Sequence, residues 1–432
     1  MARGRDAKIR CTDVTNSRDG KTPSKHKAKI YIKPSKDQEV KHEDALQRYP
    51  PELQQLMLNV FRDSFSDIFG PSLTLLIQEV KQHLFNRRFD QAFGRQDLLE
   101  AYAIRWSPSR ALAYLDMICH LPLLSAYLTS ALYVASSNAK TTHLAPVLTS
   151  KISAEIQGDS QKDPAKPDST TENEIRGSVN IACLGAGAGA EVVAFAGYLH
   201  HLYAAARKHA TSADQAQATS ETASTPIARL AMRVVDIADW STVAGKLHSS
   251  ITRSPLLPKY ASSASKASNS PLVGPENYSV SFERQDILNI EVECLTAVVR
   301  DATVVTLLFT LNELYSTSMS KATNLLLSLT YLMQAGALLL VVDSPGSYST
   351  INLSKDADQC QPGSEKKYPM QWLLDHTLMD ASNLGSGEDS SQGNQWEKVV
   401  SEDSKWFRLP QGLKYPLDLE DMRYQLHLYR RL

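Results

Sequence analysis

The sequence has few cysteines for its length, and none of them stands in a pairing pattern. Its 432 residues include five, and no two have CxxC or Cys/His ligand spacing. An odd number of scattered cysteines argues against a disulfide scaffold and a structural zinc site, and it favours a reducing compartment. The five are Cys11, Cys119, Cys183, Cys294 and Cys360.

Long hydrophobic runs and a strong net charge are also missing. The most apolar stretch, 325–342, is interrupted by Ser328, Thr330, Gln334 and Gly336, which favours a helix, a turn and a strand over a membrane span. No apolar run follows the basic N-terminus, so we expect no signal peptide. The net charge is −1, so bulk charge does not indicate a nucleic-acid partner, and the length predicts two or three domains.

The strongly charged segment is an N-terminal arm. Residues 1–41 carry twelve Lys and Arg against five Asp and Glu. Residues 1–42 lack apolar periodicity, which predicts a disordered basic arm. Such an arm suits a polyanion or a nuclear import receptor, and a solvated tail without a partner is the alternative.

The next region has helical spacing of its apolar residues. They recur every three or four positions from Leu53 onward. Ser107 and Pro108 predict the start of a further helix, with Ser107 as its N-cap. We therefore predict a helical cap domain over 43–150, followed by a polar linker over 151–177.

Residues 178–432 alternate between strand-like and helical patterns. Continuous apolar strands separated by helices are typical of a parallel sheet buried on both faces, and the last strand alternates as an antiparallel one would. This predicts an α/β fold, with low-complexity inserts near 206–226, 253–276 and 381–395 as surface loops. The predicted strands are Val179–Leu184, Leu230–Asp236, Tyr278–Phe282, Thr303–Thr310, Ala337–Asp343 and Met422–Arg430.

The sharpest local feature is a glycine-rich turn after the first of these strands. Gly185, Gly187 and Gly189 let the backbone approach a ligand at the strand's carboxyl end. Their GxGxG spacing fits methyltransferases that use S-adenosylmethionine (SAM). Gly185, Gly187 and Ala190 also fit the dinucleotide pattern GxGxxA, and a turn without a ligand is the third interpretation.

Polar residues follow the other strands at the same edge. Asp236 ends the second strand, where a carboxylate can accept hydrogen bonds from both ribose hydroxyls. Asp286 follows the third and could bind an adenine amino group, or be a solvated loop residue. Asn312 and Glu313 follow the fourth, where ligands bind in open α/β sheets. First-turn helix placement is the alternative for Glu313.

Two basic segments are candidates for substrate contact. Arg105 and Arg110 could hold phosphates or the SAM carboxylate, or pair with acids at a packing corner. Lys405 and Arg408 flank Trp406, and this combination of stacking and charge suits single-stranded RNA. A hydrophobic tryptophan at the start of a strand is the alternative there.

Several catalytic patterns are absent from the sequence. It has no Walker lysine, which excludes a P-loop NTPase, and no HExxH, GxSxG or Cys–His nucleophile pattern. No YxxxK pair accompanies the GxGxxA spacing, which disfavours an NAD(P) oxidoreductase. We predict no metal site.

Taken together, these residues resemble the fungal SAM-dependent methyltransferases that methylate uridine N3 in large-subunit (25S) ribosomal RNA. The similarity runs from about Leu98 to the C-terminus. One departure is Cys183, two positions before the first glycine, where the broader methyltransferase pattern often has an acid. The matching segments are Tyr102–Tyr114, Leu184–Glu191, Val235–Trp240, Leu308–Leu314, Ser404–Arg408 and Tyr415–Arg430.

The resemblance implies a class I, Rossmann-like SAM methyltransferase sheet with an N-terminal helical region. SAM would lie over Gly185–Gly189, with its ribose on Asp236 and its adenine near Asp286. Contacts to its methionine moiety would come from Glu191 or from Arg105 and Arg110. The partner would be ribosomal RNA or a preribosomal particle, and neither a membrane nor a metal ion would be involved. The protein would act in the nucleus or nucleolus, with the cytoplasm as a further location.

The chemistry of the target base suggests further roles. Uracil N3 carries a proton on the Watson–Crick edge, so the nucleotide must be unpaired or flipped out. We hypothesise Glu313 as the proton acceptor, with Tyr315 or Asp343 as alternatives, and Asn312 as a ligand of a base carbonyl. The rival functions are a SAM methyltransferase of protein or small molecules and, less favoured, an NAD(P)-binding oxidoreductase.

Overall fold

The apolar runs after residue 178 form the strands of a central sheet. The computed structural model describes residues 49–141, 178–213, 229–267, 269–346, 348–351, 366–380 and 394–432. The predicted arm 1–42, the linker 151–177 and most of the inserts 206–226 and 381–395 lie outside these ranges. The strands are β1 (Ser178–Leu184), β2 (Arg229–Asp236), β3 (Tyr278–Arg284), β4 (Ala302–Leu308), β5 (Leu338–Asp343), β6 (Tyr348–Ile351), β7 (Lys366–Pro369), β8 (Trp396–Phe407) and β9 (Met422–Arg431).

Seven strands make one sheet in the order β3-β2-β1-β4-β5-β9-β8. Strands β1 to β5 are parallel to their neighbours within this group, and β9 is antiparallel to both β5 and β8. The predicted α/β sheet, mostly parallel with an antiparallel last strand, is confirmed. Because the strand order reverses between β1 and β4, a crevice opens there at the carboxyl edge.

Helices precede the sheet and cover both of its faces. Residues 66–68 form a short 3₁₀ turn and His376–Asp380 form one π-helical turn. The α-helices are α1 (Pro51–Ser64), α2 (Leu73–Phe85), α3 (Phe89–Ala92), α4 (Gln96–His120), α5 (Pro122–Thr141), α6 (Ala190–Ala213), α7 (Ser241–Thr252), α8 (Ser263–Ala267), α9 (Val292–Val299), α10 (Leu311–Thr317), α11 (Met319–Leu332) and α12 (Met370–Asp375).

The two faces of the sheet carry separate apolar clusters. One cluster joins residues of α1, α2 and α4 to α6, α7 and one face of the sheet, and the other joins α9 to α12 to the opposite face. The helical region therefore shares its core with the sheet. Residues 48–432 form one compact unit.

Helix α4 differs from the sequence prediction. The sequence predicts that Ser107 and Pro108 open a helix, but α4 runs through both without a break, so this prediction is wrong. Proline lacks the N–H that would bond the carbonyl of Ile104 one turn earlier. The hydroxyl of Tyr415 donates to that carbonyl instead, at 2.9 Å. A tertiary contact thus satisfies the acceptor that proline leaves free.

Some elements had no clear sequence signal. The residues of β8 show no clear apolar–polar alternation, because much of this strand is exposed. Strands β6 and β7 form a separate two-stranded sheet. The described insert 253–276 is mostly exposed, but it includes α8 and buries Leu272 and Val273.

Candidate active site

The glycine turn joins β1 to α6 at the carboxyl edge of the sheet. Gly185 and Gly189 have φ of +79° and +82°, a region that residues with side chains rarely adopt. A Cβ atom on Gly187 would lie 1.9 Å from Cδ1 of Trp240, so only glycine leaves room for the indole. The geometry therefore requires glycine at all three predicted positions.

Asp236 is held against this turn by backbone amides. Its Oδ2 accepts the amide of Gly187 at 3.1 Å and its Oδ1 accepts the amide of Ala238 at 3.0 Å. Burial raises the pKa of this carboxyl group. Each oxygen keeps a lone pair for a hydroxyl donor. Ile237 beside it is 62% exposed and offers an apolar surface next to the acid.

Asp286 lies next to Asp236 through the backbone, because the amide of Gln285 donates to the carbonyl of Asp236 at 2.9 Å. The Asp286 carboxylate accepts the amide of Leu288 at 3.0 Å and the side-chain amide of Asn289. These bonds hold the turn after β3 in place. The carboxylate is half-buried beside the predicted ribose site.

Glu191 places a buried carboxylate in the first turn of α6. It is 4% exposed, and burial raises its pKa to about 8 even though Arg110 lies close enough to lower it. Burial and then the Glu191 charge also raise the pKa of the Cys183 thiol. Glu191 therefore lies close to the position where the methyltransferase pattern often has an acid. An incompletely balanced carboxylate of this kind fits a ligand with a positive charge.

The ends of β4 and β5 meet through Asp343. This residue is 3% exposed, and burial raises its pKa to about 6. Its Oδ2 accepts the amide of Asn312 at 2.9 Å and its Oδ1 accepts the amide of Ser344 at 2.7 Å. Asn312 and Glu313 are thereby fixed at the start of α10, at the same edge as the glycine turn.

Phe309 has a strained backbone at this point. Its φ is +58°, which is rare for a bulky residue and is found most often at functional sites. The Arg110 guanidinium lies 5.2 Å from the centre of the Phe309 ring and donates to the hydroxyl of Tyr102 at 2.7 Å. Arg110 thus reaches from α4 to the end of β4, near Glu191 and Asp343.

Glu313 is paired with a residue of the helical region. Nη2 of Arg87 lies 2.9 Å from Oε2 of Glu313; the Arg87 side chain is 60% exposed and the Glu313 side chain 43%. Tyr315, one of the alternative proton acceptors, is buried in the core on the α11 side, and burial raises its pKa. Of the three candidate acceptors, Glu313 and Asp343 remain at the sheet edge.

Two of the predicted substrate residues, Arg105 and Arg408, form ion pairs within the chain. Arg105 pairs with Glu420, and Arg408 pairs with Asp421 at 2.6 Å. The Arg408 guanidinium also lies 4.0 Å from the centre of the Trp406 ring, which is 48% exposed. This tryptophan is therefore a surface residue covered on one side by arginine.

The structure brings most of the predicted residues to one edge. The three glycines, Asp236, Asp286, Asn312, Glu313 and Arg110 surround the crevice between β1 and β4, and Arg105 follows on α4. Lys405 and Arg408 lie at the end of β8. This strand is two positions beyond β5 and thus about 10 Å further along the sheet.

Sequence reasoning missed Phe309, Ile237 and Arg87. An apolar residue directly after the acid that ends β2 is a usable signal for Ile237. The positive φ of Phe309 and the partner of Arg87 depend on tertiary structure, and no sequence signal would have found them.

The part of the chain that the structure describes contains no group of three or more His, Cys, Asp or Glu residues that could hold a metal ion. No single helix there is long and apolar enough to cross a membrane; one bent pair, Gln96–His120 with Pro122–Leu132, meets the length and composition test together, with an 85° bend.

The chain is similar to a curated enzyme and to several solved structures. The chain is 28% identical over 383 residues, 87% of its length, to the 25S rRNA (uridine(2843)-N(3))-methyltransferase of Saccharomyces cerevisiae, of which 85% is covered. A SAM-dependent methyltransferase from Methanosarcina mazei is 7% identical with a TM-score of 0.28, covering 59% of this chain and 92% of that one. The antibiotic-resistance methyltransferase Kmr is 14% identical with a TM-score of 0.27, covering 59% and 86%.

The strand order and the glycine turn define a class I SAM methyltransferase fold. A family model described as "Putative SAM-dependent methyltransferase" matches residues 61–430. The chain belongs to this family, and SAM is its cofactor.

Proposed function

We propose that this methyltransferase transfers the methyl group of SAM to N3 of a uridine in large-subunit ribosomal RNA. The observation that carries the proposal is the alignment with the yeast enzyme, which extends over most of both chains. Residues at the carboxyl edge of the sheet supply the groups that this reaction needs. Ribosomal RNA as substrate further suggests a nuclear or nucleolar location.

The cofactor would be held by residues on three strands and on α4. Asp236 would accept hydrogen bonds from the ribose hydroxyls, and Asp286 would accept one from the adenine amino group. Ile237 would pack against the adenine ring. The methyltransferase pattern often has an acid at the position of Cys183, and Glu191 would take over its role. Its carboxylate would accept a hydrogen bond from the amino group of the methionine moiety. Arg110 would donate hydrogen bonds to the carboxylate of the methionine moiety. When bound, SAM supplies a methyl group on a positively charged sulfur, and these contacts orient it for in-line transfer.

The target base would lie beside α10. Glu313 accepts the proton of N3, and Asn312 donates its side-chain amide to a base carbonyl. Asp343 supports both residues because it holds the Asn312 amide at 2.9 Å. Asp343 is the alternative acceptor, since its pKa of about 6 lets it act as a base above that pH.

The RNA around the target would extend towards β8. Trp406 and Arg408 provide an exposed ring and a positive charge, which is the combination that binds single-stranded RNA. Lys405 adds a second charge there. The basic arm 1–42 adds charge for a polyanion in the same way. Arg105 would reach a phosphate only by leaving Glu420.

The test is methylation of ribosomal RNA from the source organism with this gene deleted. The purified protein and SAM are expected to restore one N3-methyluridine in the large-subunit RNA, mapped by mass spectrometry of nuclease fragments. Naked RNA and preribosomal particles from the same strain are compared as substrates. Binding of SAM without methylation of either substrate would overturn the proposal and point to a protein or small-molecule acceptor.

A further inference from the structure

A short exposed segment joins α2 to α3 at the edge of the candidate site. This segment, Phe85–Arg88, is here called the basic turn. Phe85 is 84% exposed, the most of any phenylalanine described, and Asn86, Arg87 and Arg88 are exposed as well. A phenylalanine this exposed contributes little hydrophobic stabilisation to the fold. Its ring stands beside two exposed arginines, so it is accessible to a ligand that both stacks and carries negative charge.

The basic turn has a backbone that would favour glycine. Arg87 has φ +54°, its amide donates to the carbonyl of Leu84 at 3.0 Å, and the amide of Arg88 donates to that of His83 at 2.9 Å. This is the Schellman pattern that ends many helices, with Arg87 at the left-handed position. Glycine is the usual residue there because a Cβ atom is strained. Arginine at this position therefore carries a backbone strain that glycine would not.

The Arg87 side chain points to the candidate active site. It pairs with Glu313 on α10, next to Asn312, whose amide is bound by Asp343. The basic turn therefore lies at the entrance through which a target base would reach the end of β4. Arg88 is exposed beside it and forms no ion pair with the residues that the structure describes.

We propose that the basic turn binds the RNA strand next to the target nucleotide, an inference that rests on the proposed function. Phe85 stacks on a neighbouring base, and Arg87 and Arg88 contact phosphates on either side. Exposed aromatic rings and arginines together are what single-stranded RNA binds. Arg87 exchanges Glu313 for a phosphate as RNA arrives, which leaves the Glu313 carboxylate facing the base.

The experiment compares three variants of the basic turn with two matched controls. The variants are Phe85→Ala, Arg87→Gly and Arg88→Ala. The controls are Tyr331→Ala and Arg300→Ala, since Tyr331 is 69% exposed and Arg300 is exposed, and both precede strands at the opposite edge of the sheet. The probe is large-subunit rRNA from the deletion strain, bound on filters over a range of KCl concentrations. SAM affinity is measured by calorimetry and Tm by scanning fluorimetry.

The expected results separate a role in RNA binding from a role in folding. Phe85→Ala weakens rRNA binding by about tenfold, because one base loses its stacking partner. Arg87→Gly and Arg88→Ala each lower the slope of log K against log salt by about 0.7, as expected for one phosphate contact to a single strand. SAM affinity stays within twofold of the parent. Arg87→Gly has a Tm at or above that of the parent, because glycine relieves the strain.

Two outcomes would overturn the proposal, and they differ from failure of the proposed function. If the parent methylates rRNA and all three variants bind it as the controls do, the basic turn does not contact RNA and its exposed ring has another partner. If Arg87→Gly lowers Tm and leaves the salt slope unchanged, the Arg87–Glu313 pair is a structural contact only. Failure of the parent protein to bind or methylate rRNA would overturn the proposed function itself.

Discussion

A single buried carboxylate dominates the electrostatics of the site. Glu191 is nearly inaccessible, and among the described residues Arg110 is the positive charge that acts on it, so its ionised form is disfavoured in the fold. A residue that lowers stability in this way is retained most readily where a ligand needs it. This is the physical reason for assigning Glu191 to the cationic end of the cofactor.

The pKa of Glu191 predicts how stability depends on pH. Its folded-state pKa of about 8 lies above the unfolded value, so its protonated form favours the fold at low pH. That contribution is lost as pH rises from about 4.5 to 8. We expect Glu191→Gln to lie within about 1 kcal/mol of the parent near pH 5 and to be more stable by roughly 4–5 kcal/mol near pH 8.5, measured by urea unfolding without SAM. Equal stability of the two proteins at both pH values would show that Glu191 is already compensated.

Glu313 and Asp343 differ in what their substitution would do to the reaction if each were the proton acceptor. We expect Glu313→Gln to lower kcat about 100-fold or more while the Kd for SAM stays near the parent value. Single-turnover rates with rRNA and calorimetry with SAM measure the two quantities. If Asp343 is the acceptor instead, Glu313→Gln keeps its rate and the parent's kcat rises to a plateau above about pH 6. A loss of SAM affinity in Glu313→Gln would make this residue a cofactor ligand.

At the scale of elements, α4 connects the helical region to the site. The hydroxyl of Ser107 donates to the carbonyl of Ala188 in the glycine turn at 2.7 Å. The hydroxyl of Ser109 accepts a hydrogen bond from the backbone amide of Glu420 at 3.1 Å. The residues around Pro108 therefore fasten the helix to the glycine turn on one side and to the β8–β9 loop on the other. The strain of a proline inside the helix is offset by these tertiary bonds.

The bond between Tyr415 and the carbonyl of Ile104 can be tested by a double-mutant cycle. Tyr415→Phe leaves that carbonyl without a donor and should lower the free energy of unfolding by about 1–2 kcal/mol. In a Pro108→Ala background the new amide can bond Ile104 itself, so the same substitution should cost less by about 1 kcal/mol. Urea unfolding of the four proteins gives the coupling. Additive effects would mean that the Tyr415 hydroxyl does not replace the missing helix bond.

For the molecule as a whole, the sequence predicted the features that depend on local patterns, namely the strands and the glycine turn. Continuous apolar runs located β1 to β5 within one or two residues, and the glycines located the cofactor turn. Glu313 and Arg87 are 226 positions apart and Arg105 and Glu420 are 315 apart, so these pairs arise only when the fold brings distant segments together. Strand β8 was missed because an outer strand with many exposed residues lacks a clear apolar period.

The helical region and the sheet are expected to behave as one cooperative unit. Gly197 on α6 lets Met57 on α1 approach closely, since a Cβ at position 197 would lie 2.7 Å from the Met57 sulfur. The apolar cluster on this face includes residues of both regions. A fragment of residues 178–432 alone would therefore expose to water the apolar surface of α6, α7 and the sheet that α1, α2 and α4 cover.

We accordingly predict that urea unfolds the full chain in one transition, with coincident tryptophan fluorescence and circular dichroism curves. The isolated fragment 178–432 should unfold at a much lower urea concentration, or without cooperativity, and should not bind SAM in calorimetry. Removal of residues 1–42 is the matched control, because it leaves the unit 48–432 complete and should change neither property. A fragment 178–432 with the parent's urea midpoint and SAM affinity would instead show that the helical cap is a separate domain, with its boundary where the sequence predicts it.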